Sequence, residues 1–157
     1  MTHQVMDLEQ HSPHRGGMLT SATLPRRSDS TESALRRVLL TNATTSGLGG
    51  LAAVVAGGPV ADLLGVDRVG WVRVTGAGLV AFAAFVTWIA RSPRTLLAKE
   101  APVISVGDVT WVAGTVVTIA LGWYSRAGAI VMGVVGAMVG AFAATQAVLA
   151  RRLCADD

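Results

Sequence analysis

Residues 127–150 read AGAIVMGVVGAMVGAFAATQAVLA, a stretch without a single charged side chain. A helix needs about 20 apolar residues, at about 1.5 Å each, to cross the roughly 30 Å hydrocarbon core of a bilayer, and this stretch is long enough. Charge returns at once on both sides, with Arg126 before the segment and Arg151 after it. The segment is therefore predicted to be a transmembrane helix.

Three further stretches have the same character and are nearly free of charge, at 38–58, 70–90 and 101–122. Of the 157 residues, 52% are hydrophobic and 15% are charged, whereas soluble domains carry about a quarter charged residues. Inside hydrocarbon the backbone polar groups must be satisfied within the segment, which for such spans requires helices. We predict an all-α, polytopic membrane protein, a four-transmembrane-helix bundle in contact with the lipid bilayer.

The spans divide the chain into three regions. Residues 1–33 are polar and rich in Ser, Pro and Arg, which predicts a disordered cytoplasmic tail, and both Met1 and Met18 are candidates for its start. The transmembrane domain is predicted over 34–152, because residues 30–33 (STES) offer N-cap side chains for a first helix. Residues 153–157 are predicted to form a short cytoplasmic tail.

Glycine and proline place the breaks inside the transmembrane domain. The run Gly57-Gly58-Pro59 is predicted to end the first helix, and the residues up to Gly65 to form one or two turns at the membrane interface. Pro102 is placed in the first turn of the third transmembrane helix, where proline is acceptable.

Basic residues are distributed unevenly between the two sides of this bundle. Three lie on one side: Arg68, Arg73 and Arg126. Ten lie on the side that carries both termini: Arg15, Arg26, Arg27, Arg36, Arg37, Arg91, Arg94, Lys99, Arg151 and Arg152. Because cytoplasmic loops carry the excess of Lys and Arg, both termini are predicted to be cytoplasmic, in the cell inner (plasma) membrane.

The net charge of +3 does not indicate a nucleic-acid partner. All but one of the 13 basic residues are arginines, and they stand where membrane anchoring places them. The single cysteine, Cys154, cannot form an internal disulfide and is interpreted as an inert thiol, with acylation as the alternative.

Among the residues of the four predicted spans, Asp108 is the strongest candidate for a functional role. It lies in the third span, where an ionisable group is costly unless it is paired or neutralised. The alternative is that Asp108 caps a helix that begins at Val109, which leaves too short a span for a bilayer. We therefore predict that Asp108 lies inside the membrane.

Each of the four spans places one polar residue at a similar depth: Asn42, Thr87, Asp108 and Gln146. If all four face inward, they form one polar layer. Its first interpretation is a packing layer that sets helix register by interhelical hydrogen bonds. The alternatives are a site for a proton, an ion or a ligand, and a contact with a partner subunit.

Small residues recur at four-residue spacing and are predicted to let helices approach closely. The last span carries Gly133 on one stripe and Gly136 and Gly140 on the next. The first span carries Gly49, Ala53 and Gly57. Packing inside the bundle is the favoured use, and a dimer contact is the alternative.

No residue pattern predicts a cofactor, a metal site or an enzyme. The three histidines, His3, His11 and His14, all precede the first span, so no bundle-buried haem and no buried zinc site is predicted. The spans also offer no nucleophile with a base beside it, and we expect no enzymatic activity.

Two segments carry a resemblance: Gly107-Asp108-Val109-Thr110-Trp111, and the sequence QAVLARR over 146–152. Over roughly 35–152 the chain resembles a broad group of uncharacterised small bacterial four-helix integral membrane proteins, which implies no particular activity. Small multidrug transporters also have four short spans, but they depend on a membrane glutamate in the first helix. Here no acidic residue occurs in the first span, so that resemblance fails at its key position.

Two functions follow as expectations. The first is a small membrane protein of structural or accessory type, which packs with itself as a homo-oligomer or with a larger membrane complex. The alternative is a small transporter or ligand-binding protein that uses Asp108 and the polar layer.

Overall fold

The computed structural model describes residues 27–155. These residues form five α-helices and no strand: α1 (Arg27–Val55), α2 (Gly57–Leu64), α3 (Val69–Arg91), α4 (Arg94–Ala120) and α5 (Arg126–Ala155). All of them except α2 are long and apolar enough to cross a membrane. The predicted all-α fold with four transmembrane helices is confirmed, and the protein is a multi-pass membrane protein.

The first and last helices run beyond the apolar stretches that predicted them. Helix α1 begins at Arg27 rather than at residue 34, and α5 continues to Ala155, through residues assigned to the C-terminal tail. Hydropathy marks where a chain enters hydrocarbon, whereas helical hydrogen bonding continues through polar residues of good helix propensity. In α1 this extension is supported by an ion pair one turn apart, with 2.7 Å between Arg36 Nη2 and Glu32 Oε1.

Several predictions fall outside the described residues. These are the disordered state of residues 1–26, the choice between Met1 and Met18, and the three histidines.

The third transmembrane helix begins earlier than predicted, and the placement of Pro102 in its first turn is wrong. Helix α4 begins at Arg94 with Pro93 as its N-cap residue, so Pro102 lies inside the helix and not in its first turn. The residues between the two prolines, RTLLAKEA, are mostly good helix formers. A single proline removes one backbone hydrogen bond, which transmembrane helices tolerate.

The long helices form two antiparallel hairpins. Helix α1 packs along α3, α4 packs along α5, and the hairpins meet chiefly where α1 contacts α5. We call the end of the bundle that contains Arg36, Arg91, Arg94 and Arg152 the Arg-rich end, and the opposite end, which carries α2, the turn end. Leu35 and Leu153 belong to one buried cluster, so both ends of the described chain lie at the Arg-rich end.

The hydrophobic core is concentrated at the Arg-rich end. It contains residues of all four long helices: Leu35, Leu39, Ala43, Ala83, Val86, Ile89, Ala90, Leu97, Ala101, Ile104, Ala150 and Leu153. Toward the turn end, large apolar side chains such as Leu51, Val116 and Val134 are exposed. The buried cluster therefore extends from the Arg-rich end to the level of Asp108, since its member Ala43 is next to Asn42, which bonds to Asp108.

The α1/α3 hairpin is held by a backbone crossing at two glycines. A Cβ added to Gly50 would lie 2.7 Å from the Gly76 carbonyl oxygen, and one added to Gly76 would lie 2.7 Å from the Gly50 carbonyl oxygen. No other residue type fits at either position without separating the helices. The prediction that Gly49 lies in a close helix contact is wrong, because Gly49 is exposed and a Cβ added there would touch nothing within 4 Å.

The small residues of α5 divide between two faces. Gly136 and Gly140 pack on α4, where added Cβ atoms would lie 3.4 Å from Thr115 Cγ2 and 3.8 Å from Val112 Cγ2. Gly133 is exposed with nothing within 4 Å, so its predicted role in packing inside the bundle is wrong. Gly133 lies three positions before Gly136, so the two residues point about 60° apart around the helix axis, and this difference is enough to carry Gly133 past the edge of α4.

At the turn end, α2 docks on the start of α5. Gly65 ends α2 in the left-handed conformation, with φ of 71°. The Ser125 backbone N–H then donates to the Leu64 carbonyl oxygen at 2.9 Å. Ser125 also caps α5, because its hydroxyl accepts a hydrogen bond from the Gly128 N–H at 3.0 Å. The predicted interfacial turns after Gly57 are thus a real helix, and they tie the first hairpin to the second.

Candidate functional site

Three helices bring one polar side chain each to a common point in the interior. Asn42 of α1 donates through Nδ2 to Asp108 Oδ2 of α4 at 2.8 Å. Gln146 of α5 donates through Nε2 to the same Oδ2 at 3.2 Å. Asn42 and Gln146 are fully buried and Asp108 is 2% exposed. We call these three residues the Asp108 hub.

Asp108 lies in the middle of α4, and this position decides between the two readings of the sequence. Because α4 is continuous from Arg94 to Ala120, the alternative in which Asp108 caps a helix starting at Val109 is wrong. The carboxyl group faces α1 and α5, the two helices through which the hairpins meet. Asp108 therefore contacts both hairpins at once.

The donors to Asp108 are neutral amides. Across residues 28–155 no Lys, Arg or His side chain forms an ion pair with its carboxyl group. A carboxylate accepts only, so both amide groups turn their NH₂ toward it. The hub can therefore hold a carboxylate by hydrogen bonds but offers it no opposite charge, which in a bilayer is a costly arrangement.

The network extends along α1 on one side of the hub. Asn42 Oδ1 accepts a hydrogen bond from the Ser46 hydroxyl at 3.2 Å, one turn farther on. This bond uses the acceptor half of the Asn42 amide while the donor half serves Asp108. Ser46 was not among the predicted members of the polar layer, although it ends a run of Thr and Ser that follows Asn42 in the sequence (Thr44, Thr45 and Ser46).

The Gln146 side-chain amide forms fewer hydrogen bonds than that of Asn42. Its Oε1 is buried and has no hydrogen-bond partner within the described chain. Most buried polar atoms in proteins have a partner, and leaving one without costs about 1–3 kcal/mol. An acceptor oxygen thus stands beside a buried carboxyl group without a donor of its own.

Thr87 does not join the hub. It is half-buried and lies on the wall of an open groove between α1 and α3. The groove has a volume of about 510 Å³ and is lined from α3 by Val80, Ala83, Ala84, Thr87, Trp88 and Arg91, with Gly47 from α1. We call it the α1/α3 groove. The predicted four-residue polar layer is therefore a three-residue hub, because α3 turns Thr87 toward the rim of its contact with α1.

Neither the hub nor the groove carries the residues of a metal centre. Residues 27–155 contain no group of three or more His, Cys, Asp or Glu side chains close enough to hold a metal ion. The hub offers one carboxyl group, two amides and the Ser46 hydroxyl. These groups donate and accept hydrogen bonds, and the carboxyl group is the one among them that can gain or lose a proton.

No protein-family model, no curated protein and no solved structure matches this chain.

Proposed function

We propose that this protein is a non-enzymatic membrane protein of structural or accessory type, which packs through α5 with a second copy or with a larger membrane complex. The observation that carries the proposal is the outward face of α5. Gly133, Ala137, Ala141 and Ala144 are all exposed and lie at three- and four-residue spacing. Small residues at this spacing let another helix approach closely in lipid.

The use of Asp108 inside the bundle supports the same proposal. Its carboxyl group is almost fully buried and is hydrogen-bonded to side chains of two other helices. It does not line the α1/α3 groove, which is formed by other residues. A hub of this kind fixes the register of the hairpins, which gives α5 a rigid position from which to meet a partner. In each span only 22% to 28% of the most apolar window is buried, so ample surface remains for lipid and partner.

The orientation follows the distribution of charge. We propose that the Arg-rich end faces the cytoplasm of the cell inner (plasma) membrane, since the excess of Lys and Arg lies there.

The test is a glycine substitution on the outward face of α5 with a matched control. Gly133→Ile adds a branched side chain at the first residue of the face, whereas Gly78→Ile makes the same change on an exposed part of α3 where an added Cβ also touches nothing. We expect Gly133→Ile to lower the oligomeric or complexed fraction at least tenfold in native-membrane nanodiscs, measured by single-molecule photobleaching and by mass spectrometry of co-purifying proteins. Gly78→Ile should leave that fraction unchanged.

Two results would count against the proposal. A wild-type protein that is monomeric and free of stoichiometric partners in native membranes leaves the α5 face without an occupant. Equal effects of Gly133→Ile and Gly78→Ile mean that bulk anywhere on the lipid surface disturbs assembly, so that the α5 face has no special part.

A second function has one specific observation in its favour. The unpartnered Gln146 Oε1 beside Asp108 is an arrangement that a proton or a small cation can complete. The protein would then be a small transporter or ligand-binding protein that uses the hub. Asp108→Asn separates the two functions, because the amide keeps an acceptor for Asn42 but cannot carry the charge.

The measurement is flux into proteoliposomes under imposed proton and sodium gradients. Transport through the hub requires flux in the wild type and its loss in Asp108→Asn. Absence of wild-type flux, or an unchanged rate in the variant, leaves the structural function alone.

A further inference from the structure

The α1/α3 groove has a floor made by the smallest side chains of both helices. A Cβ added to Gly47 would lie 3.3 Å from the Ala83 Cβ, so the two helices touch there with almost no side-chain bulk between them. Ala84 and Val80 continue this surface along α3. The result is an open, largely apolar groove of about 510 Å³ along the outside of the hairpin.

The two ends of the groove differ in chemistry. Thr87, Trp88 and Arg91 line it near the Arg-rich end, and only small apolar residues line it farther in. Trp88 is 59% exposed, and tryptophan prefers the headgroup level of a bilayer. A molecule with one polar end and one apolar end would match this order.

Arg91 carries a positive charge that the described chain does not neutralise. It is exposed and forms no ion pair within residues 28–155. Its neighbour Arg36 is already engaged, since it bonds to Glu32 and donates to the Ala90 carbonyl oxygen at 2.6 Å. Arg91 is thus the basic group that remains to bind an anion at the polar end of the groove.

The length of the groove matches one leaflet of a bilayer. At about 1.5 Å per residue, the eleven steps from Arg91 to Val80 rise about 16 Å, which is close to half of a roughly 30 Å hydrocarbon core. An acyl chain that follows the groove from Arg91 therefore ends near the middle of the membrane, as the chain of a phospholipid does.

We propose that the α1/α3 groove binds one anionic phospholipid of the surrounding bilayer, with its phosphate on Arg91 and one acyl chain along Ala84 and Val80. Basic pockets between transmembrane helices bind anionic lipid headgroups in this way. The proposal concerns residues other than those of the α5 face and the Asp108 hub, so it stands or falls independently of the proposed function.

The test uses native mass spectrometry of the full-length protein released from nanodiscs that contain equimolar phosphatidylglycerol and phosphatidylcholine. We expect the wild type to retain one phosphatidylglycerol. Arg91→Gln should lower its apparent affinity about fivefold, the factor for one basic residue at a membrane surface. Arg151→Gln is the matched control, because it removes an exposed arginine from α5, outside the groove, and should change nothing.

A second variant fills the apolar part of the groove. Ala84 is exposed and outside the core, so Ala84→Phe occupies the groove without disturbing the buried cluster, and we expect it to release the retained lipid. Equal effects of Arg91→Gln and Arg151→Gln would overturn the proposal, as would equal retention of the two lipids. A second copy of the chain seated on the groove, seen as a disulfide between two Ala84→Cys chains that also carry Cys154→Ser, would overturn it as well.

Discussion

Asp108 serves two amides through one carboxylate oxygen, and the two amides depend on it unequally. Asn42 donates at 2.8 Å and has a second bond through Ser46, whereas Gln146 donates at 3.2 Å and keeps an oxygen without a partner. Loss of the acceptor at Asp108 would leave both buried NH₂ groups without a partner. A buried donor that loses its acceptor costs more free energy than the hydrogen bond itself contributes to stability.

We expect Asp108→Leu to be less stable than Asp108→Asn by about 2 kcal/mol, with about 1 kcal/mol for each amide that loses its acceptor. Both variants remove the charge and have side chains of similar size, so the loss of the acceptor is the main difference that destabilises Asp108→Leu. The measurement is reversible unfolding in mixed micelles as the fraction of denaturing detergent rises. Ser105→Ala is the control, because Ser105 is buried in the same helix but bonds only to Ala101 O. Equal stabilities of the two Asp108 variants would contradict a structural role for the hub.

A residue of the site could be predicted from the sequence when its side chain costs much free energy inside an apolar span. An acidic side chain in an apolar span stands out, and an amide at the same depth in two other spans suggests its partners. Threonine costs little inside a transmembrane helix, because its hydroxyl can bond to a backbone carbonyl oxygen of its own helix, so depth alone does not predict which way Thr87 faces. The exposed position of Gly133 was equally hidden, because a stripe of small residues does not say which neighbour it meets.

At the level of elements, the α1/α3 crossing depends on the exact register of two helices. Gly49 and Gly50 are adjacent in sequence, yet a Cβ at Gly50 would lie 2.7 Å from a backbone oxygen of α3 and a Cβ at Gly49 would touch nothing. Backbone atoms cannot rotate aside as a side chain can, so the two positions should respond oppositely to the same methyl group.

We expect Gly50→Ala to lower the free energy of unfolding by about 1–3 kcal/mol, the usual cost of overpacking a tight contact. Gly49→Ala should be neutral or raise it by up to about 1 kcal/mol, because alanine favours a helix more than glycine does. Parallel detergent-unfolding curves of the two variants provide the comparison. If Gly50→Ala is as stable as Gly49→Ala, the close approach at Gly76 is not what holds the hairpin.

The length of the apolar stretches predicts the four long helices, but it does not predict the residues at which they begin and end. Arg94 and Arg27 begin helices because the polar residues after them sustain backbone hydrogen bonds, a property that hydropathy does not measure. The same holds for Pro102, whose place inside α4 is compatible with a span only because one missing bond is tolerated there.

At the scale of the molecule, an even number of spans brings the two ends of the described chain to one side of the membrane. Cys154 is the only cysteine, is exposed and lies near the end of α5, where it reports that side directly. We expect a membrane-impermeant maleimide to label it in inverted membrane vesicles and not in intact cells. Cys154→Ser combined with Asp67→Cys moves the thiol to the turn end and should reverse the pattern. Labelling of Cys154 from outside the cell would reverse the proposed orientation.

The hydrogen bonds that join the hairpins also impose an order of assembly on a chain made from its N-terminus. When α3 has just been synthesised, the Asp108 carboxyl group that binds Asn42 and the Ser125 N–H that binds Leu64 have yet to be made. Until then the NH₂ of Asn42 has no acceptor on α4. A chain interrupted at Ser92 therefore keeps one amide and one backbone carbonyl oxygen whose partners lie on the second hairpin, so the first hairpin alone is a less satisfied structure than the finished bundle.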